Sequence, residues 1–281
     1  MKKHRKKIII GVIGLLLLIY VGVNGYLVNY AFVRDSASLG ASAPKKAELL
    51  KKDQAWLTQT KQQTWTEKSA DGKLTLKARY VPAKKATNET IVIAHGYREN
   101  SLRMASYIRM FHDLGYNVLA PDDRGAGRSE GHYITFGWQD RLDYQNWLKQ
   151  LIAKKGQDSK IGLFGVSMGG ATVMMMSGEK LPKQVKVIVE DCGYSSINEE
   201  LGTQLSAQFG LPKEPILTTA SWMAHPFIGF NFKNGSATEQ LKQNKLPTLF
   251  IHGSKDSFVP TEMVYENYQA SAGTVSYTHL T

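Results

Sequence analysis

The chain has 281 residues, of which 42% are hydrophobic and 21% charged, values typical of a globular protein with a sizeable core. Its formal net charge is +11, but five of the positive residues stand among the first seven, and no dense basic stretch interleaved with aromatic residues follows them. We therefore expect no nucleic-acid partner. The single cysteine, Cys192, excludes an intramolecular disulfide and is expected to be a small buried residue.

The chain opens with a basic tail over residues 1–7, followed by an apolar run over residues 8–28 that Asn24 alone interrupts. A helix of about 20 residues spans a bilayer, whereas the apolar part of a signal peptide has about 7–15 residues. We therefore expect an uncleaved single-pass transmembrane anchor in the cell membrane, with the tail in the cytoplasm and the remainder of the chain outside it. The alternative is a signal peptide cleaved at Ala41-Ser42-Ala43, although that sequence lies well beyond the apolar run.

Residues 29–70 are polar and mixed in composition, with one potential helix over residues 45–60. We interpret them as a juxtamembrane stalk that leads into a domain over residues 71–274.

Within that domain, apolar runs alternate with amphipathic stretches. The predicted strands cover residues 74–80, 90–94, 117–120, 160–164, 185–189 and 248–251, and the predicted helices cover 101–114, 138–153, 169–178 and 262–270. This alternation predicts an α/β fold with a doubly wound, mostly parallel sheet. In such sheets ligands bind beyond the carboxyl ends of the strands.

The most informative motif is Gly165-Val166-Ser167-Met168-Gly169, which fits the pattern G-x-S-x-G. An apolar strand precedes it and a helix rich in small residues follows, which is the setting that a nucleophile elbow needs. Ser167 is therefore the candidate nucleophile, and the backbone N–H of Met168 is a candidate oxyanion donor at a helix N-terminus. The structural alternative is a serine N-cap with glycines for packing.

Two further motifs follow predicted strands. In His95-Gly96-Tyr97 the backbone N–H of Tyr97 is the second candidate oxyanion donor, and His95 is expected to form structural hydrogen bonds. The turn at residues 122–129 is basic and rich in glycine, but it lacks the lysine and serine that end a P-loop. We expect it to be an ion-paired structural turn.

Together with His252-Gly253-Ser254-Lys255-Asp256, these motifs match the α/β-hydrolase superfamily in order and spacing over about residues 72–273. The chain is similar to bacterial membrane-anchored hydrolases related to serine aminopeptidases and small carboxylesterases. The resemblance implies an α/β-hydrolase fold with a helical lid at about residues 193–246 and Asp256 as the acid of a Ser-Asp-His triad. Asp191 is the alternative acid. We expect no cofactor and no metal site, and we expect Trp222, Met223, Phe227 and Phe230 of the lid to form an apolar pocket wall.

The resemblance places the catalytic histidine beyond one more strand after Asp256, and His279 is the one histidine in that part of the sequence. Residues 275–281 match the translation of a transposon adapter used in sequencing libraries, so we expect them to be a non-native read-through tail. On this reading the final strand, the final helix and the histidine are missing, and the chain itself is inactive.

The expected activity is hydrolysis of an ester or amide through an acyl-enzyme. A small-molecule ester is the first substrate class, and a short peptide, cleaved as in serine aminopeptidases, is the second. A non-catalytic surface binding module on a hydrolase scaffold is the rival from another class.

Overall fold

A computed structural model describes residues 2–34 and 44–280 of the chain, so the cleavage-like sequence at residues 41–43 and the last residue, Thr281, lie outside the described residues. The helices are α1 (Lys2–Phe32), α2 (Pro44–Gln59), α3 (Ala105–Asp113), α4 (Asp140–Lys155), α5 (Met168–Met176), α6 (Ile197–Phe209), α7 (Ile216–Ile228), α8 (Ala237–Leu241) and α9 (Glu262–Ala270), with a short 3-10 helix at Phe232–Asn234. The strands are β1 (Gln63–Lys68), β2 (Thr75–Val81), β3 (Glu89–Ala94), β4 (Asn117–Asp122), β5 (Lys160–Val166), β6 (Val185–Asp191), β7 (Thr248–Gly253) and β8 (Val275–Leu280).

The strands form one sheet in the order β1-β2-β4-β3-β5-β6-β7-β8. The pairs β1–β2 and β2–β4 are antiparallel, and the other pairs are parallel. Helices cover both faces, with α4 and α5 packed on one and α2 and α3 on the other. Both sides of the parallel strands are therefore buried, which is why β5 is a continuous apolar run. The prediction of a doubly wound, mostly parallel α/β sheet is confirmed.

The region expected to be a stalk differs from that expectation. Helix α2 packs its fully buried Leu57 against α3, and β1 joins the sheet beside β2. Trp65 of β1 stacks on Tyr80 with ring centroids 4.5 Å apart. Because these anchoring side chains are few and widely spaced among polar residues, the sequence gives little sign that the segment is part of the domain.

The C-terminal segment also differs from the expectation that the last strand is missing. Residues Val275–Leu280 form β8, which pairs in parallel with β7 from Val275 opposite Thr248 to Leu280 opposite Gly253. Val275 and Tyr277 are half-buried and alternate with exposed residues, and the ring of Tyr277 contacts Tyr265 of α9. This period of two is that of a strand with one covered face.

Residues 193–246 hold α6, α7, the 3-10 helix and α8, and they correspond to the expected lid. A cluster of buried side chains, separate from those on the two faces of the sheet, joins these helices to α5, to α9 and to the end of α1. The lid and the last turns of the N-terminal helix therefore lie together over the carboxyl end of β5.

Candidate active site

Ser167 occupies the turn between β5 and α5, with φ 54° and ψ −117°. A positive φ is unusual for a residue with a Cβ and carries strain that the surroundings must hold. The Ser167 N–H donates to the carbonyl of Asp191 at 2.7 Å, and its carbonyl accepts from the Ala171 N–H at 3.0 Å. The turn is therefore fixed on both sides.

The two glycines of the motif are required by close backbone approach. A Cβ on Gly165 would collide with the carbonyl of Gly169, and a Cβ on Gly169 would collide with the carbonyl of Ala94 at the end of β3. The G-x-S-x-G pattern thus reflects the packing of α5 against two strand ends.

The half-buried Ser167 lines a partly open, mostly apolar cavity under the lid. Most of the wall is apolar and comes from three helices: Leu27, Val28, Ala31 and Phe32 of α1, Leu201, Leu205 and Phe209 of α6, and Ile216, Leu217 and Ala220 of α7. None of the four lid residues expected in the wall, at positions 222, 223, 227 and 230, lines this cavity. Trp222 and Phe227 are turned outward because the small and branched residues of α7 occupy its inner face.

The candidate oxyanion donors lie at the ends of neighbouring strands. Met168 is the first residue of α5, so its N–H is one of the helix amides without an intrahelical acceptor. Tyr97 follows β3 and lines the cavity together with Ser167, and its hydroxyl donates to the carbonyl of Ala31 at 2.7 Å. Since Ala94 of β3 is in register with Gly165 of β5, both loops leave the same edge of the sheet.

Asp256 follows β7 and is held by the backbone. Its Oδ1 accepts from the N–H groups of Phe258 at 2.8 Å and Val259 at 3.0 Å. Its Oδ2 lies 3.8 Å from Nε2 of the buried His252, which is itself within 2.9 Å of the Val259 carbonyl. The loop thus has the carboxylate fixed beside an imidazole.

His279 lies on β8 directly opposite His252 in register, and its exposed ring stacks on Tyr277 with centroids 6.0 Å apart. In the part of the chain that the structure describes, no histidine forms a hydrogen bond with Ser167 or Asp256. The structure therefore brings no complete Ser-Asp-His triad together.

The backbone carbonyl of Asp191, the alternative acid, accepts the hydrogen bond from the Ser167 N–H that was described above. Its Oδ2 accepts from the hydroxyl of Tyr107 at 3.3 Å, and burial raises the pKa of the carboxyl. Burial also raises the pKa of the neighbouring Cys192 thiol well above its usual range. A thiolate at Cys192 is consequently disfavoured, and Ser167 has no competing thiol nucleophile.

The remaining motif residues form structural contacts. His95 donates through Nδ1 to the carbonyl of Gly96 at 2.8 Å and accepts at Nε2 from the Asp123 N–H at 3.0 Å, so both ring nitrogens are engaged by the backbone. Arg124 forms a two-pronged ion pair with Asp143 at 2.6 and 2.8 Å. The turn at residues 122–129 is therefore an ion-paired structural turn.

Two features of the site could not be predicted from the sequence. One is the contribution of α1 to the cavity wall. The other is Glu200 of α6, a buried cavity residue whose Oε1 accepts from Gln204 at 3.0 Å while Oε2 has no partner. Burial raises the pKa of Glu200 to about 8. Neither carries a local sequence signal, because both depend on how the lid folds over the sheet.

Comparison with known proteins concerns the family and the fold. The profile of the family described as "Serine aminopeptidase, S33" matches residues 85–227, half of the chain. The uncharacterized protein YqkD of Bacillus subtilis is 31% identical over 183 residues, which are 64% of this chain and 60% of that protein. The chain spans between about half and two thirds of the length of the curated relatives it matches.

Two solved structures share the fold. The esterase Pf2001 of Pyrococcus furiosus superposes with a TM-score of 0.62 at 23% identity, covering 88% of each chain. The acylaminoacyl peptidase of Pyrococcus horikoshii superposes with a TM-score of 0.59 at 17% identity, covering 81% of this chain and 38% of that one. At these identities the likeness concerns the fold.

Proposed function

Since the chain belongs to the serine aminopeptidase S33 family and has an α/β-hydrolase fold, we propose that it is a membrane-anchored serine hydrolase that cleaves esters through an acyl-enzyme. The observation that carries the proposal is the strained backbone of Ser167 at the head of α5, with its side chain at the wall of an apolar cavity. Strain of this kind at a strand–helix turn is the mark of a nucleophile elbow.

In the proposed reaction, Ser167 Oγ forms a bond to the ester carbonyl carbon while its proton passes to a general base. The N–H groups of Tyr97 and Met168 stabilise the oxyanion. The carbon–oxygen bond to the alcohol then breaks, and the alcohol leaves with the proton from the base. Water repeats the sequence on the acyl-enzyme and releases the acid.

The general base of this mechanism is a histidine oriented by Asp256. Neither His252, whose Nε2 is engaged by the Val259 carbonyl, nor the exposed His279 holds that position. A chain with Ser167 and Asp256 but without a placed histidine keeps only the rate enhancement of its oxyanion and binding contacts. Activity is therefore measured on the protein expressed from its complete gene.

An ester is favoured over a peptide by the charge of the cavity. Among the described residues that line it, Glu200 is the one carboxylic acid, and its raised pKa of about 8 keeps it neutral at pH 7. The cavity therefore offers little negative charge to the ammonium group of a short peptide. A peptidase remains the second candidate, because the matching family is described as serine aminopeptidase and one structural neighbour is an acylaminoacyl peptidase.

Membrane attachment is the other part of the proposal. Helix α1 is long and apolar enough to cross a bilayer, a test that a signal sequence also passes. We favour an anchor because the last turns of α1 are packed into the catalytic domain, with Phe32 almost fully buried between Phe136 and Phe232. The basic tail then stays in the cytoplasm and the catalytic domain lies outside it.

The test compares hydrolysis of short p-nitrophenyl esters with hydrolysis of aminoacyl anilides, using the purified protein and its Ser167→Ala variant. We expect ester cleavage to exceed anilide cleavage and to fall by about 10³-fold or more in the variant. Faster cleavage of the anilides would favour the peptidase. Equal rates for the two proteins on both substrates would contradict a serine mechanism.

A further inference from the structure

The last turns of α1 are part of the catalytic domain. Tyr97 donates to the carbonyl of Ala31, and the Ile134 N–H donates to the carbonyl of Phe32 at 2.7 Å. Val33 forms an isolated antiparallel bridge with Tyr133. The helix that enters the membrane is therefore joined to the loops around Ser167 without an intervening linker.

This junction makes the anchor one wall of the active-site cavity. Residues 27, 28, 30, 31 and 32 of α1 line the cavity with Ser167, facing apolar side chains of α6 and α7. Helix α6 also contributes Glu200, Gln204 and Gln208, but the lining as a whole is mainly apolar. Such a lining suits a hydrocarbon chain better than a polar substrate.

The length of α1 determines how deep in the bilayer the domain that packs on it lies. Residues 8–19 of α1 are exposed along the helix except at Gly14, and at 1.5 Å per residue they rise about 18 Å. The hydrocarbon core of a bilayer is about 30 Å thick, so the membrane must extend along α1 beyond residue 19, towards residue 28. Whatever packs against α1 over residues 20–28 then lies at the depth of the nearer leaflet.

Helix α7 is what packs there. The hydroxyls of Tyr20 and Thr219 are 2.9 Å apart, and a Cβ on Gly25 would lie 3.7 Å from the Met223 side chain. Because both contacts advance along the two chains in the same direction, α7 runs beside α1 through this zone. Trp222, next to Met223, is then level with about residue 24 of α1, within the last turn or so of the apolar run.

The outward face of α7 has the chemistry of a membrane interface. Trp222 is 69% exposed and Phe227 60% exposed, and residues 216–228 contain no Asp, Glu, Lys or Arg. On the other side of α1, the exposed Tyr26 and the ring of Tyr30 pack against Phe209 of α6. Trp and Tyr are enriched where a protein crosses the headgroup level.

We propose that α7 and the last turns of α1 form one lipid-facing surface, and that the substrate is a membrane-resident ester whose acyl chain enters the cavity between α1, α6 and α7 to reach Ser167. The inference rests on the proposed serine hydrolase function and adds a substrate class to it. The overall reaction consumes the lipid ester and one water, and it yields a fatty acid and the alcohol. The outward face of α7 contacts the bilayer itself, since α7 packs beside the part of α1 that lies in the bilayer.

The first experiment measures the depth of Trp222. The protein is reconstituted into phosphatidylcholine vesicles whose acyl chains carry bromine either near the headgroup or near the chain end. The fluorescence difference between the protein and its Trp222→Phe variant isolates this one tryptophan among five. We expect stronger quenching by the headgroup-proximal bromine than by the chain-end bromine. No quenching of the Trp222 component by either lipid overturns the proposal.

The second experiment measures the substrate. Hydrolysis of a long-chain monoacylglycerol in vesicles is divided by hydrolysis of a short soluble p-nitrophenyl ester. In the Trp222→Ser, Phe227→Ser double variant we expect this ratio to fall about tenfold, since two aromatic interface contacts are removed. The matched control is Leu114→Ser, a 67% exposed residue after α3, for which the ratio stays constant.

The two proposals fail in different ways. If the short ester is not cleaved, or is cleaved equally by Ser167→Ala, the hydrolase proposal is wrong. If the short ester is cleaved through Ser167 but the ratio does not respond to the double variant, the lipid inference alone is overturned. It is also overturned if the double variant converts a dimer into a monomer without changing the ratio, because the α7 face would then contact a second copy.

Discussion

At Ser167 a residue with a side chain holds a backbone conformation that favours glycine, and two hydrogen bonds and two glycines keep it there. The packing of Gly169 is as demanding as that of Gly165, since an added Cβ would lie 2.1 Å from the carbonyl oxygen of Ala94 at the end of β3. Ser167 can therefore be presented to the cavity only while this position has no Cβ.

We expect Gly169→Ala to lower the free energy of unfolding by about 1–3 kcal/mol and to abolish ester hydrolysis, because the added carbon separates α5 from β3. The control is Gly253→Ala, where an added Cβ meets no atom closer than 3.9 Å. Thermal unfolding and the short-ester assay measure both effects. Full activity of Gly169→Ala would contradict this prediction, because it would show that the turn accepts a Cβ at position 169.

The raised pKa of Glu200 leads us to expect that the stability of the fold depends on pH. Its pKa is raised from 4.5 to about 8 in the folded protein by burial, with Asp256 adding to the rise and Gln204 opposing it. Between these values the folded state holds a proton that the unfolded state releases, so this residue makes stability fall as the pH rises from about 4.5 to 8. At about 1.4 kcal/mol per pKa unit, the contribution is on the order of 5 kcal/mol.

Glu200→Gln removes that slope. We expect thermal unfolding measured from pH 5 to pH 9 to show a smaller loss of stability in the variant, with the difference growing towards pH 9. The control is Glu199→Gln, an exposed neighbour paired with Lys213 on the surface. An unchanged slope in Glu200→Gln would mean that the carboxyl is solvated in the folded protein.

Ser167, Met168 and Tyr97 could be singled out from the sequence because a strand–turn–helix motif and its adjacent loop are local constraints on consecutive residues. Glu200 could not be predicted, since the burial of its carboxyl depends on helices that the tertiary fold brings over it. The nucleophile role of Ser167, the donor roles of Tyr97 and Met168 and the acid role of Asp256 stay predictions.

The two ends of helix α1 differ in their surroundings. Its first half is exposed and apolar, whereas its last turns bury Leu27 and Phe32 in the cluster that joins the lid to α5. The apolar run predicts a membrane anchor from composition alone. The packing of the last turns into the domain could not be predicted, because lipid-facing and core-facing side chains are both apolar.

This division can be measured on one helix. Phe32→Ala removes a ring packed 5.0 Å from Phe136 and 5.1 Å from Phe232, and we expect it to destabilise the domain by about 3–5 kcal/mol. Leu18→Ala, at an exposed site of the same helix, should change stability by less than about 0.5 kcal/mol. Denaturant unfolding in detergent micelles compares the two. Equal effects would mean that α1 does not belong to the domain core.

The strands and helices around the motifs were predicted within a few residues, because buried parallel strands and amphipathic helices have distinct periods. Helix α2 and strand β1 were assigned to a stalk, and β8 was expected to be missing. Each of these lies at an edge of the fold, where few buried side chains mark the element.

The proposed anchor fixes the side of the bilayer on which the folded domain lies. The five basic residues before the apolar run predict a cytoplasmic N-terminus. Protease added to intact protoplasts should digest the domain while an N-terminal epitope tag stays protected. Protection of the domain, with loss of the tag, would reverse the orientation.

The most direct measurement of the central claim is the site of covalent capture. The protein from its complete gene is treated with a fluorophosphonate, digested and mapped by mass spectrometry, beside its Ser167→Ala variant. We expect one phosphonyl adduct, on the peptide that contains Ser167, and none on the variant. An adduct on another serine, or labelling that survives the substitution, would contradict it.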